Sequence, residues 1–423
     1  MAQDSGDFPD PNGILGWAPG RGTGRIGVMD ALTAMSMLMT AEGRRDPYPL
    51  YEAIRAAGPV ADFGEQVVVT GYAEADAVLR DPGMRVVDRA MLLRVAGPEW
   101  ADRPAQRLMT DSLLNTNQPD HRRMRRIVSA AFTPRRVAGL ADAVTAQAEH
   151  LAEAAAADAA VDLMAAFAVP LPVTVICELL GVPESDRAWF RPVALDFAET
   201  VEYAQTADGA DRADAAAREL RDYFIGLVAD RLRTPTDDLT SELAHAEGLS
   251  GAELLGNLAL LLLAGHETTT NLIGNGISIL LQRPESQLRL RSDPAYAQPL
   301  VEEFLRFDPP VQMTTRVPAE ATEIGAVTAD HRTAVTVLIG AANRDPLRFN
   351  DPAVFDPDRP DNTPLSFGAG AHFCLGAALA RLEGRIAFPL LLGRFPRIAL
   401  GAPAVRRDRL VLRGYERLPV TLR

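Results

Sequence analysis

The stretch Phe367-Gly368-Ala369-Gly370-Ala371-His372-Phe373-Cys374-Leu375-Gly376 decides how this chain is read. The chain holds only 2 Cys and 6 His, so chance rarely puts a lone cysteine two residues after a histidine and behind two glycines. Gly368 and Gly370 permit positive φ and close backbone approach, so a tight loop can lie flat against a planar group. Leu375-Gly376-Ala377-Ala378-Leu379-Ala380-Arg381-Leu382-Glu383 reads as a helix. Cys374 then sits at or near its N-terminus, where free N–H groups and the positive dipole end favour a thiolate. Phe367 can shield the sulfur from water. The run predicts a metal-binding thiolate; the inert buried cysteine that a lone Cys usually is explains none of the flanking residues.

Outward from this loop, the next signal is a long central helix. Ser250-Gly251-Ala252-Glu253 is a capping box, and helical pattern runs to about Arg283, before Pro284. That is about 33 residues, or roughly 50 Å. Its first half is apolar on nearly every face, which predicts burial. Its middle carries Ala264-Gly265-His266-Glu267-Thr268-Thr269-Thr270, an acid beside hydroxyls where few belong. Thr268 is expected to bond back to the Ala264 carbonyl and open the helix locally. Gly265 costs roughly 1 kcal/mol against Ala, and one reason for it is space for a small ligand beside the backbone. His266 reads as packing beside the helix groove, with a pH-sensitive water contact as the alternative. A third signal is Glu303-Phe304-Leu305-Arg306, which puts a carboxylate and a guanidinium on one helix face ahead of Pro309 and Pro310. On spacing alone it reads as a surface ion pair of little worth.

The chain has 423 residues with 47% hydrophobic content, and no repeat, low-complexity tract or Ser/Gly-rich linker divides it. A single large domain over residues 46–423 is expected, behind a loosely ordered arm over 1–45 that is rich in Gly, Pro and Asp. The class is mainly α with small β-sheets (α+β). Helix is expected from Tyr48 to Arg55 and through the Ala-rich 135–235 region, broken by Pro170, Pro172, Pro183 and Pro192. Strands are expected at Gln66–Thr70, Thr333–Ile339, Leu410–Leu412 and Pro419–Leu422. A net charge of −13 argues against nucleic acid as a partner. Two Cys exclude a disulfide framework, and Cys177, in the apolar helical run Val173–Leu180, reads as plain core. The polar N-terminus has no signal pattern, and the longest apolar run, Leu258–Gly265, is far short of the roughly 20 residues of a membrane span. A soluble, cytoplasmic monomer without a membrane anchor is expected.

The three motifs, in this order, resemble the cytochrome P450 family. The loop matches the family's haem-binding signature at Phe367, Gly368, Gly370, His372, Cys374 and Gly376. Ala264-Gly265-x-Glu267-Thr268 matches its oxygen-activation motif, and Glu303-x-x-Arg306 its structural ion pair. Asp120-His121 with Arg125 and Phe132-Thr133-Pro134 looks like its haem-edge helix. Asn343-Arg344-Asp345-Pro346 through Phe355-Asp356-Pro357-Asp358-Arg359 looks like the meander before the haem loop. The resemblance covers about residue 45 to the end. It implies the cytochrome P450 fold, with haem b between the long central helix and the thiolate loop and Cys374 as the axial iron ligand. It implies that Thr268 holds dioxygen and relays protons, with Glu267 feeding them from solvent. His121, Arg125, Arg316 and His372 are expected to neutralise the two haem propionates, Arg by its bidentate fork. Ala264, Gly265, Phe367, Gly368 and Gly376 would also contact the cofactor. Glu303, Arg306 and Arg359 would form a charge network behind the cysteine.

All 43 basic residues are Arg, which with the abundant Ala suggests a GC-rich, actinobacterial source. Arg122, Arg123, Arg125, Arg126, Arg135 and Arg136 fall within 15 positions. By resemblance this is where a small acidic iron–sulfur protein docks, near Arg122 and Arg126. No flavin or ferredoxin segment is visible, so electrons are expected from an external ferredoxin, its reductase and NAD(P)H. Family position puts Met91, Leu92, Leu260, Ala264, Val311 and Leu412 in the substrate pocket. Together with the likeness of Val173–Arg187 to actinobacterial enzymes that tailor polyketides, this implies hydroxylation or epoxidation of a large apolar product, a polyketide or macrolide, in antibiotic biosynthesis. Terpenoid, steroid, fatty-acid and peptide substrates stay open, as does peroxide-driven chemistry, although the intact Glu267-Thr268 pair argues against the latter. A non-enzymatic haem binder or gas sensor would not need that pair.

Overall fold

Ser250 caps the helix around which the other elements are arranged: its hydroxyl accepts from the Glu253 N–H, and the Glu253 carboxylate accepts from the Ser250 N–H. The helix spans Gly251–Leu280, 30 residues, and nearly all of it is buried. Helices Pro170–Leu180, Glu184–Phe197, Ala207–Arg233, Ala297–Phe307 and Ala377–Arg394 pack against it. The computed structural model describes residues 30–202 and 206–423. The arm expected over 1–45 therefore divides. Residues 1–29 lie outside the described residues, whereas Ala31–Leu38 and Ala41–Arg45 are helices, capped by Asp30 and Thr40, with Ala34 and Leu38 in the core. This second half is no loose arm, because its apolar face has a partner in the helix Tyr48–Arg55.

The main sheet has the strand order Val60–Asp62, Gln66–Val69, Ala334–Leu338, Met313–Pro318, Met84–Arg85. Gln66–Val69 and Ala334–Leu338 pair in parallel, joining the two expected strands across most of the chain. A smaller sheet pairs Pro419–Leu422 with Ala160–Asp162 and Ile398–Leu400. Two of the four prolines expected to break helix, Pro172 and Pro192, do not, whereas Pro170 opens a new helix directly after the helical turn Met164–Ala168. Pro170 and Pro172 lie in the first turn of one helix, where a missing N–H is tolerated, and Pro192 lies inside Glu184–Phe197. Leu410–Leu412 is no strand either; Leu412 makes one isolated bridge, to Val311. Cys177 is fully buried, and burial pushes its thiol up to about 12. Among the described residues no single helix is long and apolar enough to cross a membrane.

Candidate functional site

The glycine loop folds as the sequence asks. Gly368 and Gly370 both have φ of +67°. A Cβ on Gly370 would come within 2.5 Å of the Leu79 carbonyl oxygen, so only glycine lets the loop close on the helix Tyr72–Arg80. The Cys374 N–H donates to the Phe367 carbonyl at 2.8 Å, and Gly376 caps the helix Ala377–Arg394. Burial pushes the Cys374 thiol up, while the Gly376 and Ala377 N–H groups and the Arg125 and Arg381 charges pull it down. Cys374 thus sits at a helix N-terminus with donors turned to its sulfur. That helix packs on the central one.

Beside the sulfur lies a cluster of basic groups. The rings of His121 and His372 are 4.1 Å apart. Burial and the neighbouring His121, Arg316 and Arg125 push His372 down to about 3. His121 is likewise held low by burial and by Arg125. His121 Nδ1 meets the Gln118 amide at 3.3 Å, and its buried Nε2 has no partner among the described residues. Arg316 is buried and donates to Thr314 Oγ1 and the Thr315 carbonyl. Two guanidiniums, beside two imidazoles whose protonation burial and these charges disfavour, make a site whose potential favours an anion. An orphaned imidazole nitrogen, this potential and an adjacent thiol fit a planar dianionic metal cofactor such as haem.

On the central helix, Thr268 Oγ1 donates to the Ala264 carbonyl at 2.7 Å. Ala264 is exposed and Thr268 half-buried, although the residues flanking them on the helix are otherwise nearly all buried. Gly265 differs from expectation. A Cβ there would lie 2.7 Å from Ile176 Cδ1, so the glycine admits the helix Pro170–Leu180 on that side. Glu267 is wholly buried. Its Oε1 accepts from Arg407 at 2.8 Å, Arg409 at 3.3 Å and Asn271 at 3.4 Å, and its Oε2 has no partner among the described residues. These cations hold its carboxyl below the usual range against burial. His266 is buried with neither ring nitrogen bonded among the described residues, its Nε2 3.8 Å from Glu267 Oε2. Arg407 and Arg409 were not anticipated. The only hint was the charge run Arg406-Arg407-Asp408-Arg409 before an apolar triplet.

Glu303 and Arg306 form no surface pair. Both are fully buried, with Nη2–Oε1 at 2.6 Å and Nε–Oε2 at 2.7 Å. Arg306 also donates to the carbonyls of Asn343, Pro352 and Val354. Glu303 accepts from the Asp356 N–H and the Asn362 amide, and Arg359 Nε lies 3.9 Å away. The pair is buried because the meander folds over it.

Of the expected pocket residues, Val311 and Leu412 are brought together by their bridge. Leu260 lies buried in the central helix, and half-buried Met91 and buried Leu92 lie on the short helix Arg89–Val95. The six-arginine cluster is not one face. Arg125 faces Cys374, Arg123 binds Glu253 and Asp120, and Arg136 binds Asp237 and Glu242. Arg122, Arg126 and Arg135 are exposed.

Comparison with known proteins gives this geometry relatives. A family model described as Cytochrome P450 matches residues 211–399. The chain is 36% identical to a biotin biosynthesis cytochrome P450 of Bacillus subtilis, over 92% of this chain and all of that one. It is 38% identical to 6-deoxyerythronolide B hydroxylase of Saccharopolyspora erythraea, over 89% of this chain and 96% of the relative. Among solved structures, P450BioI in complex with an acyl carrier protein carrying hexadec-9Z-enoic acid superposes with a TM-score of 0.86 at 36% identity. That match covers 90% of this chain and all of the other.

Proposed function

The chain belongs to the cytochrome P450 family, and from that premise we propose that it is a monooxygenase placing one oxygen atom of O2 into a large apolar polyketide or macrolide, by hydroxylation or epoxidation. Haem, when bound, supplies dioxygen activation and oxygen transfer. Cys374 would ligate its iron, and His121, Arg125, Arg316 and His372 would meet its propionates. Phe367, Gly368 and Gly376 would shape the loop beneath it, and Ala264 would line its other side. Gly265 would meet it through its backbone, with Ile176 packed where a Cβ would be.

The observation that carries the reading is the acid–alcohol pair in the middle of the central helix. Thr268 keeps its hydroxyl on an accessible face by donating to Ala264, ready to hold and pass a proton at Oγ1. Glu267 keeps an ionised carboxylate behind it, with Oε2 free of protein donors and able to take a proton from water. Glu303, Arg306 and Arg359 stiffen the cysteine side. Electrons would come from a separate ferredoxin and its NAD(P)H-dependent reductase, docking near exposed Arg122 and Arg126. The polyketide assignment is supported by the likeness to 6-deoxyerythronolide B hydroxylase and the apolar side chains of Leu92, Leu260, Val311 and Leu412. A second reading, an acyl chain presented on a carrier protein, is favoured by the likeness to the P450BioI complex.

The test supplies the purified haem protein with a surrogate ferredoxin, its reductase and NADPH, and a panel of macrolactones and acyl carrier proteins. Spin-state shifts and oxygenated macrolactone are expected, and Thr268→Ala should divert reducing equivalents to peroxide. An ordinary imidazole-type ferrous–CO band would remove the Cys374 assignment. Normal product from Thr268→Ala without extra peroxide would remove the relay.

A further inference from the structure

Glu202 lies just past the short 3-10 turn Ala198–Val201 and is buried, yet it is a carboxylate. Its Oε2 accepts from the N–H groups of Leu410 at 2.8 Å and Val411 at 2.9 Å, and its Oε1 from that of Leu412 at 2.9 Å. Three successive backbone donors converge on one anion, so this apolar triplet forms no strand: its N–H groups are spent on Glu202. The same segment is fixed at its other points. Arg409 binds Glu199 at 2.7 Å, the Leu195 carbonyl at 3.0 Å and Glu267 at 3.3 Å. Arg407 binds Glu267 at 2.8 Å. Arg413 binds Asp308 at 2.7 Å, and its N–H donates to the Pro310 carbonyl. Leu412 meets Val311 across the bridge.

We propose that residues 407–413 form a strap on which Glu202 sets the substrate-facing Leu412 and Arg407 and Arg409 set Glu267, so that Glu202 is a positioning residue for both the pocket wall and the proton-delivering acid. This rests on the monooxygenase reading for the roles of Leu412 and Glu267, but the strap itself does not. A carboxylate is needed because both oxygens accept. In Glu202→Gln the amide nitrogen would face a backbone N–H, donor against donor. Any displacement of Leu410–Leu412 is passed through one residue to Arg409 and so to Glu267 Oε1.

The haem-loaded protein is compared with Glu202→Gln, Arg409→Gln and the double variant Glu202→Gln/Glu267→Gln. Amide hydrogen exchange reads the strap, 4-phenylimidazole titration reads the pocket wall, and peroxide per NADPH reads proton delivery. Glu202→Gln is expected to speed exchange at Leu410–Leu412 about tenfold or more, weaken 4-phenylimidazole severalfold and raise peroxide severalfold. Arg409→Gln should raise peroxide while leaving exchange at Leu410–Leu412 slow. In the double variant the peroxide effect of residue 202 should vanish, because its target is gone. Wild-type exchange at the triplet, or an increase spread evenly over the protein, would overturn the strap. Additive peroxide effects in the double variant would overturn the link to Glu267. If Glu202→Gln does not retain haem, slow triplet exchange with wild-type peroxide in Arg409→Gln overturns that link as well. The exchange arm needs no turnover, so a failure of the monooxygenase reading would show as absent product with the strap intact.

Discussion

Glu303 and Glu267 are both shut off from solvent, at 0% exposure, yet their surroundings are completed to different degrees. Glu303 has donors on both oxygens: Arg306 on each, the Asp356 N–H on Oε1 and Asn362 on Oε2. Glu267 has three donors crowded on Oε1 and none on Oε2. Among the described residues the His266 ring nitrogens, Thr270 Oγ1 and Asn271 Oδ1 around it are also without partners, against Arg359 Nε and Asn362 Oδ1 around Glu303. A buried carboxylate with both oxygens satisfied is held stiffly, whereas one with an open oxygen is costly to keep and has a vacant acceptor for water or a proton. The first region holds the cysteine side in place; the second is poised for traffic.

The strongest way to break this comparison is to remove Arg306. Arg306→Ala removes both direct ionic bonds of buried Glu303 and leaves it the neutral donors Asp356 N–H and Asn362 with Arg359 at 3.9 Å, which costs about 3–5 kcal/mol. Thermal unfolding and the yield of haem-loaded protein should both collapse. A wild-type melting temperature would mean that the Glu303 network supports nothing.

Glu267→Gln should separate rate from stability. The amide keeps an acceptor for Arg407 but loses the ionisable oxygen. Product formation should fall about hundredfold, the contribution of a positioned proton donor. The melting temperature should fall far less than in Arg306→Ala. Equal losses of stability in the two variants would erase the distinction between the regions.

The two regions also differ in how much of each was legible. Glu303 and Arg306 are three residues apart on one helix, so their pairing follows from helix geometry, and the cysteine loop is a contiguous run. That the pair is buried was not legible, because burial depends on residues 352–362 folding across it. Glu267 draws Arg407 from 140 positions away, and Glu202 reaches Leu410 across 208. No periodicity encodes such contacts. The apolar triplet Leu410–Leu412 has strand-like composition, and only a distant carboxylate decides otherwise. Gly265 carried a real signal, the need for space beside the helix, but sequence could not say that Ile176 fills it.

His266 offers a finer test of the half-filled region. It faces Glu267, Arg191, Arg407 and Arg409, and burial together with the arginines pushes it down to about 4. Between its ordinary pKa of about 6.5 and that value, the unfolded chain binds a proton that the folded chain refuses. Folded stability should therefore drop as pH falls through this window, by about 3 kcal/mol from this group alone. His266→Phe should flatten that part of the stability profile, read by denaturant unfolding at stepped pH. An unchanged slope would mean that His266 is already bonded, through water, to a group that tolerates its charge.

The smallest structural effect is expected at the arginines outside both networks. Arg123 and Arg136 are spent on Glu253, Asp120, Asp237 and Glu242, and Arg125 is turned to the sulfur. Arg122 and Arg126 are exposed on the same helix, and reversing exposed charges typically moves stability by less than about 1 kcal/mol. Their effect belongs to encounter, where steering raises association rates steeply at low salt. Arg122→Glu with Arg126→Glu should leave the melting temperature near wild type and slow reduction by an acidic ferredoxin about tenfold at low ionic strength. The salt dependence of that reduction should also flatten. Reversing Arg123 instead breaks its pairs with Glu253 and Asp120 at the cap of the central helix, so it should lower stability more and steering less. If both reversals slowed reduction equally, the loss would come from net charge, and no particular docking face would be needed to explain it.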